Sequence, residues 1–362
     1  MESRMETGGL VIKIGGSVLD AAGAAWFGAL KALADERPIV VVHGGGPAID
    51  ARLKSLGLAI EKRGGLRVTD AATLAVVEGV LAGELNGAVV RTLLRAGVPA
   101  WGVSGAAARL IAVEPKDGGA LGRVGTIRAV DPAPLRAIQK AGCVPVVAPL
   151  GLGPDGEAYN VNADEAAAAL AAALGYGVVF VSDVPGVLVE TPAGRTVLPA
   201  LPAAEAEAHI AGGAITGGMI PKVRAAVRAV EGGAPAAWIV GADPAALLAV
   251  GRCGSPVAPV PSDVQGAPIG TRIVADGADG SGLGDRSAGP GLRADKTAES
   301  AVAAAAPAAD RPSPTAFGGD QAEPRAADTP GAGSGAAAGD TGWGRFSGTE
   351  GGMSDARVVR PL

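Results

Sequence analysis

Short runs of nearly pure apolar residues, each followed by a longer helix-forming stretch, recur along this 362-residue chain up to about residue 275. The runs are Leu10–Ile14, Ile39–Val42, Ala100–Val103, Val144–Ala148, Val178–Val181 and Ala237–Val240. Each is too short for a buried helix and lacks polar alternation, the mark of strands covered on both faces. Helices are predicted at about Ala21–Asp35, Ala48–Leu56, Ala71–Ala96, Pro132–Ala141, Asp164–Leu174 and Gly218–Glu231. Strand then helix, repeated in this way, predicts an α/β fold, a three-layer αβα sandwich with an open, mainly parallel sheet. Two stretches break the pattern. Leu110–Ile127 has no helical period and two glycine clusters, which predicts an antiparallel hairpin; Val187–Val197 predicts a shorter one turning at TPAGR.

Composition narrows the class. Apolar residues make up 48% of the chain but aromatics only 3%, so the core must be built from Ala, Val, Leu and Ile. A net charge of −5 argues against non-specific binding to nucleic acid. The two cysteines, Cys143 and Cys253, have no metal-like spacing and exclude a disulfide framework. No apolar leader precedes the first strand, and no uninterrupted apolar stretch of about 18 residues occurs. A cytoplasmic protein with no membrane partner is the expectation. Residues 276–362 are Gly, Ala, Pro, Asp and Ser with almost no large apolar residue, and are predicted to be a disordered tail.

Two glycine turns, Gly15–Gly16 and Gly44–Gly45–Gly46, follow the first two strands. In an open α/β sheet, ligands sit at such carboxyl ends, and consecutive amides beside a helix N-terminus suit an anion. Tight helix packing would explain one such turn. Two in adjacent units, with Lys13 buried in the strand before the first, point to a phosphate. No G-x-x-x-x-G-K-[ST] occurs, and GLGPDG (151–156) reads as a tight turn followed by polar YNVNAD, not as a dinucleotide site. In NVNADE, Asn160, Asn162 and Asp164 alternate, which places three polar side chains on one face if the stretch is extended; Asn162 or Asp164 also suits a helix N-cap. Arg67, in GLRVTD, is the residue type for a bidentate grip on a carboxylate, with Asp70 and Thr73 as ordinary capping. Asp183 ends a strand ahead of a Pro-Gly turn, and Lys222 follows the glycine-rich turn of ITGGMIPKV. His43 is expected to pack and His209 to lie in a polar helix; neither suits a general base.

In order, VIKIGGS, VVHGGGP, GLRVTD, NVNADE, SDVPGVL and ITGGMIPKV resemble the motifs of the amino acid kinase family. The similarity runs from about residue 10 to 274, ending at GAPIGTRIV, and leaves the tail outside. It implies ATP, with Mg²⁺ carried by the nucleotide, and phosphorylation of the γ-carboxylate of N-acetyl-L-glutamate, in arginine biosynthesis. It further implies a lobe at 1–176 for the acetylamino acid and one at 177–275 for ATP. Lys13 and Lys222 would stabilise the transferring phosphoryl group and Asp164 would hold both lysines. Gly45, Gly46, Arg67 and Asn160 would bind the acceptor. Gly15, Gly16, Asp183, Gly186, Val187, Leu188, Thr216, Gly217, Gly218 and Met219 would bind the nucleotide. The acceptor carboxylate is already ionised at neutral pH, so no general base is needed and catalysis reduces to positioning and charge neutralisation.

The sequence departs from the family at Ala106–Ala107–Ala108, where many relatives carry a polar Lys-Asp-Gly run. It also lacks the long N-terminal helix of arginine-inhibited hexamers, so a homodimer is expected. Two alternatives share the fold: a kinase for aminoadipate or glutamate linked to a carrier protein, and a catalytically silent sensor of ATP or an amino acid. The first needs a basic surface that the Leu110–Ile127 hairpin lacks. The second would have lost a lysine or aspartate that this chain retains.

Overall fold

The computed structural model describes residues 8–21, 23–191, 194–253, 261–263 and 266–275. All six predicted strands are present, in one eight-stranded sheet. Its order is Ala200–Pro202, Thr271–Val274, Ala237–Gly241, Gly177–Ser182, Leu10–Ile14, Ile39–His43, Val144–Ala148 and Ala100–Ser104. The six long strands run parallel; the Thr271–Val274 strand pairs antiparallel with Ala237–Gly241 and parallel with Ala200–Pro202.

Period two along each strand splits the core into two layers. Val11, Val40, Val42, Val178, Phe180 and Ile239 face one side, packed on the helices Ala163–Leu174 and Met219–Glu231. Leu10, Ile12, Ile14, Val41, Val179 and Trp238 face the other, against Ala24–Glu36 and Pro244–Arg252. Alanine explains how close the first layer sits. Ala166, Ala167, Ala171, Ala225, Ala226 and Ala229 are all fully buried, and a methyl group lets helix and sheet approach where an aromatic ring would hold them apart.

Both hairpins form. Ile111–Pro115 pairs antiparallel with Gly125–Val130, inside a separate four-stranded sheet with Leu150–Leu152 and Ala158–Asn160. Leu188–Thr191 pairs antiparallel with Gly194–Val197. The two residues at the tip of the second turn, and the predicted disordered stretch 276–362, lie outside the described residues.

The stretch predicted as one helix, Ala71–Ala96, is continuous but not uniform. It runs α over Ala71–Glu78, widens to a π-helix over Gly79–Leu85, and returns to α over Asn86–Arg95. By composition alone this run is long and apolar enough to cross a membrane. Val77, Leu81, Val89 and Leu93 are nevertheless buried in the core, and Glu84 reaches Arg52 on the neighbouring helix.

Candidate active site

The geometry follows from strand parity. Lys13 shares a face with Val11, so its side chain points towards the layer formed by the helices Ala163–Leu174 and Met219–Glu231. Those helices deliver Asp164 and Lys222 from their first turns. The Lys13 ammonium lies 2.8 Å from Asp164 Oδ1, and the Lys222 ammonium 3.5 Å from the same oxygen. All three residues are less than a tenth exposed. One carboxylate thus sits between two buried cations and leaves a net positive charge at the carboxyl edge of the sheet.

Burial alone would raise the Asp164 carboxyl, but the charges and hydrogen bonds of Lys13 and Lys222 outweigh it and hold the group below its ordinary value. Lys222 is pushed below the usual lysine value, first by burial and then by Lys13; Asp164 only partly offsets this. Asp164 is free for this role because Asn162 takes the helix cap, accepting from the amides of Asp164 and Glu165. The expected common face of Asn160, Asn162 and Asp164 is not formed. The chain turns into a helix at Ala163, which sends the three side chains to three partners.

A cavity of about 450 Å³ opens beside the lysines. Lys13, Gly15, Asp183, Gly186, Val187, Leu188, Thr216, Gly218, Met219 and Lys222 line it, which brings together eight of the residues expected to bind the nucleotide. Gly16 and Gly217 are not in its wall. Ser182, Val184, Arg195, Ala214 and Ile215 are, with Ser182 donating to Asp183 at 3.1 Å. Gly186 is needed for close approach. A Cβ there would lie 2.8 Å from both Thr271 Oγ1 and Val197, and the buried Thr271 hydroxyl accepts from the Val187 amide. That ties the cavity wall to the closing strand.

Of the side chains expected to bind the acceptor, Arg67 reaches the second glycine turn and Asn160 is linked to it through Thr69. Arg67 is buried, 2.5 Å from Asp50 Oδ1, and its Nη2 donates to the Gly46 carbonyl at 3.4 Å. Its Nη1 is buried without an acceptor among the described residues. Asn160 donates to Thr69 Oγ1 at 3.3 Å, and that hydroxyl donates in turn to the Arg67 carbonyl. Asp50 is a residue that sequence reasoning missed; its only signal was its place one turn beyond Gly46 in the helix Gly46–Ser55. The two glycine turns touch. The Gly44 amide donates to Ile14 at 2.8 Å, and a Cβ on Gly44 would lie 3.6 Å from the Gly16 nitrogen. Among the described residues no group of three or more His, Cys, Asp or Glu is placed to hold a metal ion.

Residues 9–241 match the Amino acid kinase family. The chain belongs to that family. Its relatives include the acetylglutamate kinase of Rubrobacter xylanophilus, 47% identical over 250 residues that cover 68% of this chain and 95% of the relative. The acetylglutamate kinase of Chloroflexus aurantiacus is 48% identical over 236 residues, 64% of this chain and 91% of the relative. Among solved structures, smu.665 from Streptococcus mutans superposes with a TM-score of 0.60 at 28% identity, covering 65% of this chain and 95% of that one. For a member of this family, two buried lysines beside a cavity walled by glycine turns form a site suited to moving a phosphoryl group between two anions.

Proposed function

We propose that this protein is an acetylglutamate kinase that transfers the γ-phosphoryl group of ATP to the γ-carboxylate of N-acetyl-L-glutamate, a step of arginine biosynthesis. The observation that carries the reading is the Lys13–Asp164–Lys222 cluster, whose two lysines line a nucleotide-sized cavity. A carboxylate oxygen attacks the γ-phosphorus, the bond to the bridging oxygen of ADP breaks, and the products are an acyl phosphate and ADP. The acceptor is already ionised, so no proton has to be removed. What opposes reaction is the meeting of two anions, and Lys13 and Lys222 offset that charge along the path.

Asp164 keeps the lysines at a fixed separation while remaining ionised itself. Arg67, with its unpartnered Nη1, grips the α-carboxylate, and Asn160 holds the acetylamino end. The amides of Gly15 and Gly16 face the transferring phosphate and those of Gly45 and Gly46 the acceptor. Residues 1–176 serve the acceptor and 177–275 the nucleotide. Mg²⁺, when bound, neutralises charge on the ATP phosphates. Among the described residues Asp183 is the one carboxylate in the cavity wall, which fits an ion held mainly by the nucleotide's own oxygens.

The test is ATP- and Mg²⁺-dependent acyl phosphate formation, trapped with hydroxylamine, with N-acetylglutamate, glutamate, aspartate and aminoadipate offered in parallel. Turnover confined to N-acetylglutamate is expected. Turnover of none of the four would overturn the proposal and favour a carrier-linked acceptor or a silent sensor.

A further inference from the structure

His43 is fully buried at the end of its strand, directly before the Gly44–Gly46 turn, and the chemistry above gives it no task. Its surroundings are polar. Its Nδ1 lies 3.0 Å from the Gly44 carbonyl oxygen, and its Nε2 lies 3.2 Å from Asn86 Nδ2. The same Asn86 nitrogen donates to the Val146 carbonyl at 2.9 Å. These contacts can be satisfied in one way. Asn86 spends one N–H on Val146 and the other on His43 Nε2, so the ring is neutral with its proton on Nδ1, donating to Gly44. Burial also lowers the His43 pKa, consistent with the neutral ring.

A peptide unit is planar and trans, so whatever fixes a carbonyl fixes the next amide in the opposite direction. The His43 ring holds the Gly44 oxygen and thereby aims the Gly45 N–H. Gly45 is itself buried, yet its amide meets no acceptor among the described residues. The π-helix sets the geometry of this device. The buried positions on the helix are Thr73, Leu74, Val77, Val80 and Leu81, then, after a step of five residues, Asn86, followed by Val89 and Leu93. An α-helical step from Leu81 would bring Leu85 to that place; the wide turn brings Asn86 instead. Leu81 and Leu85 close on Gly45, where a Cβ would lie 2.6 and 2.7 Å from their methyl groups. Gly102, on the outermost strand, makes room for the amide; a Cβ there would come within 1.9 Å of Asn86 Oδ1.

We infer that His43 and Asn86 are positioning residues for the acceptor turn, and that the wide helical turn over 79–85 serves to seat Asn86 beneath it. The inference rests on the acceptor reading given above for Gly45 and Gly46.

The experiment uses the full chain carrying Asn86→Ala, Asn86→Ser, His43→Ala or His43→Asn. Two readouts are taken: kcat with the KM of each substrate, and amide exchange of the peptide containing Gly44–Gly46 in the ligand-free protein. A buried polar group left without its partner costs enough to change affinity about tenfold. Asn86→Ala should therefore raise the KM for N-acetylglutamate about tenfold, with the KM for ATP within about twofold. Exchange at the turn should quicken while the Val178–Ser182 strand stays protected. An asparagine amide can stand where Nδ1 stands, so His43→Asn should recover much of what His43→Ala loses. Should Asn86→Ala fail to fold, Asn86→Ser, which keeps a shorter donor, gives the same comparison in weaker form. Unchanged exchange at the turn, or both KM values moving together, overturns the inference. If the wild-type chain makes no acyl phosphate, the acceptor reading fails and exchange alone decides: faster exchange at the turn supports the positioning role, and unchanged exchange removes it.

Discussion

At the scale of single residues, function here works against stability. Lys222 is buried, its pKa is held down first by that burial and then by Lys13, and Asp164 compensates only in part. Replacing it by a methionine of similar reach removes a costly charge and leaves Asp164 paired with Lys13. Lys222→Met should lower kcat by roughly 10²–10³-fold, the usual loss when one charge-stabilising donor is removed. The KM values should change little, and the melting temperature should hold or rise. A melting temperature several degrees lower, with kcat intact, would make the lysine a structural residue. Arg67 predicts a different signature. Arg67 is buried beside the second glycine turn, so on the proposed role Arg67→Ala should raise the KM for N-acetylglutamate at least tenfold without moving the KM for ATP. Lys13 was legible in the sequence because a charged residue in an apolar strand demands a partner. Asp164, Lys222 and Arg67 were legible by their motifs: the alternating polar residues of NVNADE, the glycine-rich turn before Lys222, and an arginine suited to a bidentate grip. Asp50 and Asn86 were not: one is an ordinary acidic residue on a helix, and the other shows its purpose only once a five-residue step is seen.

At the scale of elements, all six main strands and both hairpins could be read from apolar runs and turn residues, since period and length suffice for a buried parallel strand. The π-helix could not. It leaves the run helical throughout and changes only which side chains face inward, and no local propensity announces that. The short helix Gly16–Ala21 was also missed, being six residues long and held by its context rather than by periodicity. The alanine run at 106–108 has a physical cost that the sequence only hinted at. Ala108 and Arg109 both adopt left-handed backbone, φ 51° and 56°, at the turn leading from the outermost strand to the acceptor-side hairpin. Such a conformation costs an L-residue more than glycine loses in chain entropy. Ala108→Gly should therefore stabilise the protein by roughly 0.5 kcal/mol, seen as a melting temperature about 1–2 °C higher. No change, or a fall, would mean that the turn adopts another backbone in solution.

At the scale of the whole molecule, one sheet carries Lys13 and several strands that end at the cavity, and the Asp164 carboxylate joins that sheet to the helix layer packed on it. In the Rubrobacter relative, 250 matched residues account for 95% of the protein. A variant of this chain ending at Ala275 should accordingly keep its melting temperature and its activity; a clear loss of either would give the remaining residues a part in the fold. The pH dependence of stability belongs to this scale because Asp164 ties the central strand to both helices of one layer. Its folded pKa lies below the ordinary 3.8, so the unfolded chain takes up the proton first as pH falls. The stabilisation is thus complete above about pH 4–5 and is lost as pH falls through the folded value. In Asp164→Asn this pH-dependent part is absent. The melting-temperature gap between wild type and Asp164→Asn should be widest near pH 7, where the variant leaves two buried ammonium groups without a counter-charge. It should narrow as the pH is lowered from about 5 to 3, and a gap that stayed constant over that range would show that Asp164 is not ionised between its two lysines.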